Sequence, residues 1–189
     1  MLSEKFHLTP YAGINIVLHD FLTHIQAILG SHFCGMYLTG SLAFGDFDPR
    51  RSDIDFIVVT DAELPDDRFV ALQNMHARFG ESSSSWAEKI EAVYIPQDAL
   101  RRAALTSEQF PQVEKGTALF KDRLESGWIF QCYILREHAI VVAGPDGRYL
   151  FINRGLYHLQ MPRRPRPKAA HSKPRGVIRY GALLDGTEG

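Results

Sequence analysis

The sequence has 189 residues, with 21 lysines and arginines against 22 aspartates and glutamates, so its formal net charge is −1. Apolar residues make up 45% and charged residues 23%, which are ordinary values for a globular domain and exclude a wholly disordered chain. Two cysteines, Cys34 and Cys132, exclude a disulfide framework and a zinc site built from cysteines alone. No uninterrupted apolar run approaches the roughly 18 residues of a membrane span, and the amino-terminal residues do not form a secretory signal. We therefore expect a cytoplasmic protein with no membrane contact.

The charge is divided unevenly along the chain. Residues 1–154 hold 14 basic and 20 acidic side chains, whereas residues 155–189 hold 7 basic and 2 acidic ones. Four prolines interrupt the second stretch, at positions 162, 165, 167 and 174. The sequence therefore predicts a folded domain over residues 1–154, followed by a basic, Pro/Arg-rich disordered tail over residues 155–189.

The first half of the domain predicts a helix and two strands. Apolar residues recur every three or four positions across Ala12–Leu29, which predicts a helix that ends at Gly30. The apolar runs Cys34–Thr39 and Ile54–Thr60 are typical of buried strands, and the second is rich in β-branched residues.

The second half continues the alternation of helices and strands. Pro65–Phe79 and Leu124–His138 are predicted helices, Lys89–Ile95 and Ala139–Ala143 are predicted strands, and Ser82–Ser85 is a polar loop. Alternating elements of this kind indicate an α/β fold, with helices flanking one sheet.

The segment between the first two strands carries the candidate residues for ligand binding and catalysis. Gly40-Ser41 makes a tight turn into a short helix that ends at Gly45, and such a turn exposes backbone N–H groups to an anion. Asp53 and Asp55 follow at the start of the next strand, two positions apart and therefore on one face. Two carboxylates held so close repel each other unless a cation lies between them, and oxygen ligands favour Mg²⁺. Nucleotidyl transfer requires such a combination, a phosphate-binding turn beside a metal site.

Gly40-Ser41, Gly45 and Ser52-Asp53-Ile54-Asp55 closely resemble the signature of the polymerase-β-like nucleotidyltransferase superfamily. The wider pattern, from about Met36 to Asp146, is most similar to the streptomycin and spectinomycin adenylyltransferases. A third acidic strand that contains Glu91, and a later segment from Arg136-Glu137-His138 to Gly144-Pro145, contribute to this likeness.

This resemblance implies a mixed sheet of the nucleotidyltransferase type and roles for six residues. Asp53 and Asp55 would bind Mg²⁺, with Glu91 touching the metal and taking the proton of the attacking hydroxyl. Gly40, Ser41 and Ser52 would bind the triphosphate of ATP. The implied activity is transfer of AMP from ATP to a hydroxyl of a small molecule, of the aminoglycoside antibiotic type.

The sequence departs from these enzymes after Gly144-Pro145, where they continue into a helical domain that closes over the nucleotide. The tail has no counterpart of that domain, so we expect weak ATP·Mg²⁺ binding and slow transfer by the chain alone. A homodimer partner or a helical partner protein would have to supply the other wall of the site.

Several alternatives remain open at this point. The same core occurs in protein-modifying nucleotidyltransferases of the toxin–antitoxin type, and it could also persist as an idle nucleotide-binding remnant. Glu91 could be an ordinary exposed residue of an alternating strand, and Ser52 could simply cap a turn. Nucleic acid is a disfavoured partner, because the basic tail has few interleaved aromatic residues.

Overall fold

The computed structural model describes residues 7–81, 85–102, 108–115, 117–124 and 127–151. Six strands form one sheet in the order β5-β4-β3-β2-β1-β6. Their bounds are β1 Phe33–Leu38, β2 Ile54–Thr60, β3 Ile90–Pro96, β4 Gln109–Val113, β5 Phe120–Arg123 and β6 Ile140–Ala143. The β2–β3 pair is parallel and the other neighbours are antiparallel, so the sheet is mixed. The predicted fold class, a mixed sheet flanked by helices, is confirmed.

Six α-helices accompany these strands in the described part of the chain. Their bounds are α1 Ala12–Leu29, α2 Gly40–Phe44, α3 Asp66–Gly80, α4 Gln97–Arg102, α5 Trp128–Glu137 and α6 Gly147–Leu150. The predictions for α1 and β2 are confirmed to the residue. The other predicted helices and strands occur with shifted ends. The longest shift is in α5, which begins at Trp128 and not at Leu124.

Four elements were absent from the sequence prediction: α4, β4, β5 and α6. Strand β4 was not predicted because Pro111 lies in its middle. Proline has no backbone N–H to donate, so it usually argues against a strand. Pro111 nevertheless pairs with Lys121 in the antiparallel β4–β5 ladder. Of the predicted loop Ser82–Ser85, only Ser85 is among the described residues. The predicted tail, residues 155–189, lies wholly outside them.

Alternating side chains of the strands supply two hydrophobic cores, one on each face of the sheet. On one face, Phe56 and Val58 of β2 pack with the buried faces of α1 and α3. On the other face, Ile57 and Val59 pack with buried residues of α4, α5 and α6. Because Asp55 alternates in step with Ile57, its side chain belongs to the α5 face of the sheet.

The first helix bears on the expectation of no membrane contact. Ala12–His32 is long and apolar enough, by length and composition, to cross a membrane. In the structure its apolar side chains Leu18, Phe21 and Ile25 are buried in the core between α1 and the sheet. This burial accounts for its hydropathy, because a core helix of an α/β domain needs an apolar stripe of the same kind.

Candidate active site

The parallel register of β2 and β3 brings two predicted site residues together. Asp55 lies directly opposite Glu91, in a ladder that runs from Ile54 opposite Ile90 to Thr60 opposite Pro96. Both side chains are partly buried and point to the α5 face. When Glu91 is protonated, its carboxyl group can donate a hydrogen bond to Asp55, which lowers the pKa of Asp55 against the larger effect of burial. Two neighbouring strands thus place two carboxyl groups at one point of the sheet.

Asp53 precedes β2 and completes this acidic group. It lies close enough to raise the pKa values of both Asp55 and Glu91 by charge repulsion. The structure therefore brings together the three carboxylates that the sequence singled out, and a cation would relieve their mutual repulsion.

Burial and mutual repulsion shift the proton affinities of the two strand carboxyls. Burial is the largest cause that raises the pKa of Asp55, followed by the charge of Asp53. Burial, and then the charges of Asp55 and Asp53, raise the pKa of Glu91 to about 7, with Lys115 acting in the opposite direction. A carboxyl group with a pKa near neutrality can accept a proton from a substrate and release it again.

The turn that opens α2 packs against Asp55 in close contact. Gly40 has φ +54°, a left-handed conformation that side chains resist, and a Cβ atom there would lie 2.0 Å from Oδ2 of Asp55. The preceding residue, Thr39, donates its backbone N–H to the backbone oxygen of Asp55 at 2.9 Å. Only glycine fits this position, so the predicted phosphate-binding turn and the predicted metal ligand form one unit.

Ser41 stands in the first turn of α2, beside Gly40. Its backbone oxygen accepts hydrogen bonds from the N–H groups of Gly45 (3.0 Å) and Asp46 (3.2 Å), which end the helix. Gly45 adopts φ +80°, as a left-handed helix end requires. The short helix thus holds Ser41 directly after the Gly40 turn, and its role in phosphate binding stays a prediction.

Ser52 closes the turn that leads into Asp53. Its hydroxyl accepts a hydrogen bond from the N–H of Asp48 (3.0 Å), and its own N–H donates to the Asp48 oxygen (2.8 Å). Lys89 donates to the backbone oxygen of Pro49 at 2.7 Å, which ties the same loop to the start of β3. The turn-capping alternative for Ser52 is therefore realised, and its predicted contact with ATP is untested.

A cavity of about 280 Å³ opens beside the carboxylates, between the strand ends and α5. Its polar lining comes from Thr39, Asp55, Glu91, Gln112, Glu114 and Gln131. Its apolar lining comes from Ile57, Val93, Val113, Leu124, Trp128 and Phe130, among others. The contributions of β4 and α5 to this cavity were not predicted from the sequence. No motif marks them, because only the tertiary fold brings them to Glu91.

The segment from Arg136 to Pro145 has a packing role in the structure. Gly144 has φ +108°, and a Cβ atom there would lie 2.7 Å from the backbone oxygen of Cys34. Tyr37 of β1 donates its hydroxyl to the backbone oxygen of Pro145 at 2.9 Å. These contacts hold the end of β6 against β1, the strand that leads to Gly40.

The donor set fits Mg²⁺ by its chemistry, although it is not a closed metal cage. No group of three or more His, Cys, Asp or Glu side chains in the described ranges is arranged to hold a metal ion by itself. Mg²⁺ commonly takes one or two protein carboxylates and completes its shell with phosphate oxygens and water. Asp53 and Asp55, with Glu91 adjacent, supply such an open set.

Comparison with known proteins agrees with this geometry. Residues 34–121 match the model of the nucleotidyltransferase domain family, a span that contains every predicted site residue. A search of the curated proteins finds no match.

Among solved structures, the chain is similar to the spectinomycin adenyltransferase AAD(9) from Enterococcus faecialis, crystallised with ATP and spectinomycin. The TM-score is 0.57 at 18% identity, and the similarity covers 73% of this chain and 60% of that one. This chain thus spans less than two thirds of the neighbour's length. The predicted resemblance to nucleotidyltransferases is confirmed by the family model, and the likeness to the spectinomycin adenyltransferase is one of fold.

Proposed function

We propose that this protein transfers AMP from ATP to a hydroxyl group of a small cationic molecule of the aminoglycoside type. The observation that carries the proposal is the pairing of Asp55 with Glu91 against the Gly40 turn. One strand contact thereby joins a metal-binding carboxylate, a proton acceptor and a phosphate-binding turn.

Binding of the triphosphate is assigned to the turn. Gly40 lets the backbone approach a phosphate without a side chain in the way, and the Ser41 hydroxyl adds a donor for the β- and γ-phosphates. Ser52 lies beside Asp53 and is assigned a secondary contact, because its hydroxyl proton remains able to donate while its oxygen accepts from Asp48. Mg²⁺ held by Asp53 and Asp55 would neutralise phosphate charge and align the α-phosphate for displacement.

The chemical step uses Glu91 as the base. The acceptor hydroxyl loses its proton to the Glu91 carboxylate while its oxygen attacks the α-phosphorus of ATP. A new oxygen–phosphorus bond forms, the bond from the α-phosphorus to the bridging oxygen of the β-phosphate breaks, and pyrophosphate leaves with that electron pair. A pKa of about 7 suits Glu91 to this exchange near neutral pH.

The charge distribution supports a cationic acceptor. Residues 1–154 hold 20 acidic against 14 basic side chains, so the domain attracts cations. The structural neighbour was crystallised with spectinomycin, which is consistent with an acceptor of this kind.

The test is pyrophosphate release from ATP and Mg²⁺ with a panel of aminoglycosides. We expect release that depends on both the acceptor and the metal, and that stops when EDTA is added. Absence of pyrophosphate with every acceptor, at enzyme concentrations high enough to populate dimers, would refute the proposal.

A further inference from the structure

The cavity beside Glu91 extends from Thr39, next to the phosphate-binding turn, past Asp55 and Glu91 to β4. In the sheet order, β1 precedes Gly40 and flanks β2, whereas β4 flanks β3 on the opposite side. Gln112 and Glu114, in and just after β4, line the cavity. If the triphosphate lies over the turn at the Thr39 end, as the proposed function requires, the acceptor reaches Glu91 from the β4 end. The β4 end of the cavity is therefore the place for the acceptor.

The lining favours a ligand that carries positive charge and hydrogen-bond donors. It contains the carboxylates of Asp55, Glu91 and Glu114, and none of the described residues that line it is a lysine or an arginine. Lys115 lies near enough to lower the pKa of Glu91 but is not part of the lining. Trp128 and Phe130 add an aromatic wall, against which the apolar face of a sugar ring can pack.

One group in this lining has an unmet bonding capacity. The Oε1 atom of Gln131 is shielded from solvent and accepts no hydrogen bond within the described structure. Its neighbour Gln112, by contrast, donates its amide to the backbone oxygen of Asp122 at 2.8 Å. A buried acceptor without a donor is unfavourable for the fold, so its presence in a ligand cavity points to a donor that arrives with the ligand.

We propose that Gln131 is a specificity-determining residue for the acceptor. When the acceptor binds, the Gln131 amide turns toward the cavity, and its oxygen accepts a hydrogen bond from a hydroxyl or ammonium group of the cationic acceptor while the acceptor's reacting hydroxyl faces Glu91. This inference rests on the proposed function. Gln131 contacts the bound acceptor and takes no part in proton transfer.

The test compares wild-type enzyme with Gln131→Met, which keeps the length of the side chain and removes the acceptor oxygen. With spectinomycin as the probe, we expect KM for spectinomycin to rise about tenfold, while KM for ATP stays within about twofold. We also expect the melting temperature of Gln131→Met to rise, because the variant no longer buries an unpaired polar atom. Gln131→Glu keeps an oxygen at this position and should restore KM for spectinomycin to near the wild-type value.

Ile129→Met is the matched control, because Ile129 is 59% exposed on the same helix and does not line the cavity. It should change neither KM value. An active wild type whose KM for spectinomycin is unchanged in Gln131→Met would overturn the inference and leave the proposed function standing. No turnover of any aminoglycoside by the wild type would overturn the proposed function, and this inference with it.

Discussion

Asp55 of β2 and Glu91 of β3 face each other across the parallel pair of strands, where the protonated Glu91 carboxyl can donate a hydrogen bond to Asp55. Strand alternation directs both side chains to the α5 face, away from the core under α1 and α3. Asp55 is held by its neighbours on two further sides, since Gly40 packs against its carboxylate and Thr39 binds its backbone oxygen. The position of the candidate metal ligand is thus fixed by the sheet and not by a mobile loop.

The first prediction concerns the carboxylate pair. Asp53→Asn or Asp55→Asn should lower metal-dependent turnover by about 100-fold or more, because each removes one charge that would align the metal and the α-phosphate. Asp55→Asn should not lower the melting temperature, since burial already disfavours its charge. Steady-state kinetics and thermal unfolding measure both effects. Asp20→Asn, on the exposed side of α1, is the control, and turnover equal to that control would exclude the metal assignment.

The second prediction concerns the close approach of the turn. Gly40→Ala should reduce turnover by at least tenfold, because its methyl group would collide with the Asp55 carboxylate and displace it. Gly30→Ala is a matched control, since Gly30 has φ +55° against +54° for Gly40 and its Cβ would meet nothing within 4 Å. Gly30→Ala should lose at least about 1 kcal/mol of stability from backbone strain, and Gly40→Ala should lose more because of the added collision with Asp55; urea titration measures both losses. Equal activity in the two variants would mean that the contact with Asp55 has no functional weight.

The third prediction concerns pH and the buried His76. Its Nε2 lies 2.7 Å from the Tyr94 hydroxyl, and burial lowers the pKa of His76 to about 4, from 6.5 in an unfolded chain. Between these values the unfolded state binds a proton that the folded state does not, so stability falls as the pH falls through this window. His76 by itself therefore lowers the free energy of unfolding by about 2 kcal/mol between pH 7.5 and pH 5. Glu91 acts in the opposite direction over the same range, because its raised pKa makes the folded state take up a proton before the unfolded state does.

Urea unfolding of wild type and His76→Gln at the two pH values isolates the contribution of the imidazole. The variant keeps a hydrogen-bonding group beside Tyr94 but has no proton to gain there. On acidification from pH 7.5 to pH 5, the wild type should therefore lose about 2 kcal/mol relative to the variant. An equally steep dependence in His76→Gln would show that other groups control the acid sensitivity.

The fourth prediction concerns the boundary drawn from composition. Residues 155–189 carry four prolines and lack apolar periodicity, so their deletion should change the melting temperature by only a few degrees. Differential scanning calorimetry of the full chain and of residues 1–154 measures the difference. A large drop on deletion would place the boundary elsewhere.

The fold and the candidate site were predictable from the sequence to different depths. The positions of α1 and β2 were predictable because each carries a continuous apolar pattern that matches the geometry of its element. The sequence also identified part of the site. Gly40 marks a turn, and the two-residue spacing of Asp53 and Asp55 predicts that they share one strand face. The pairing of Asp55 with Glu91 depends on strand register over 36 positions, which no local pattern encodes.

Other parts of the site depend wholly on tertiary structure. Strand β4 contains Pro111, which local rules read as a break, yet pairing with β3 and β5 stabilises it. Gln131 looks like an ordinary helical residue in the sequence. Its unpaired oxygen becomes visible only when α5 is packed over the cavity.

The most direct test of the central claim is to follow label from the α-phosphate and from the γ-phosphate of ATP into the products. Wild-type enzyme with Mg²⁺ and an aminoglycoside acceptor is incubated with ATP labelled on the α-phosphate, and in parallel with ATP labelled on the γ-phosphate. Nucleotidyl transfer at Asp53, Asp55 and Glu91 predicts that the α-label appears in the acceptor, that the γ-label appears only in pyrophosphate, and that Glu91→Gln slows both by about 100-fold or more. Transfer of the γ-label to the acceptor, or α-label transfer that Glu91→Gln does not slow, would contradict it.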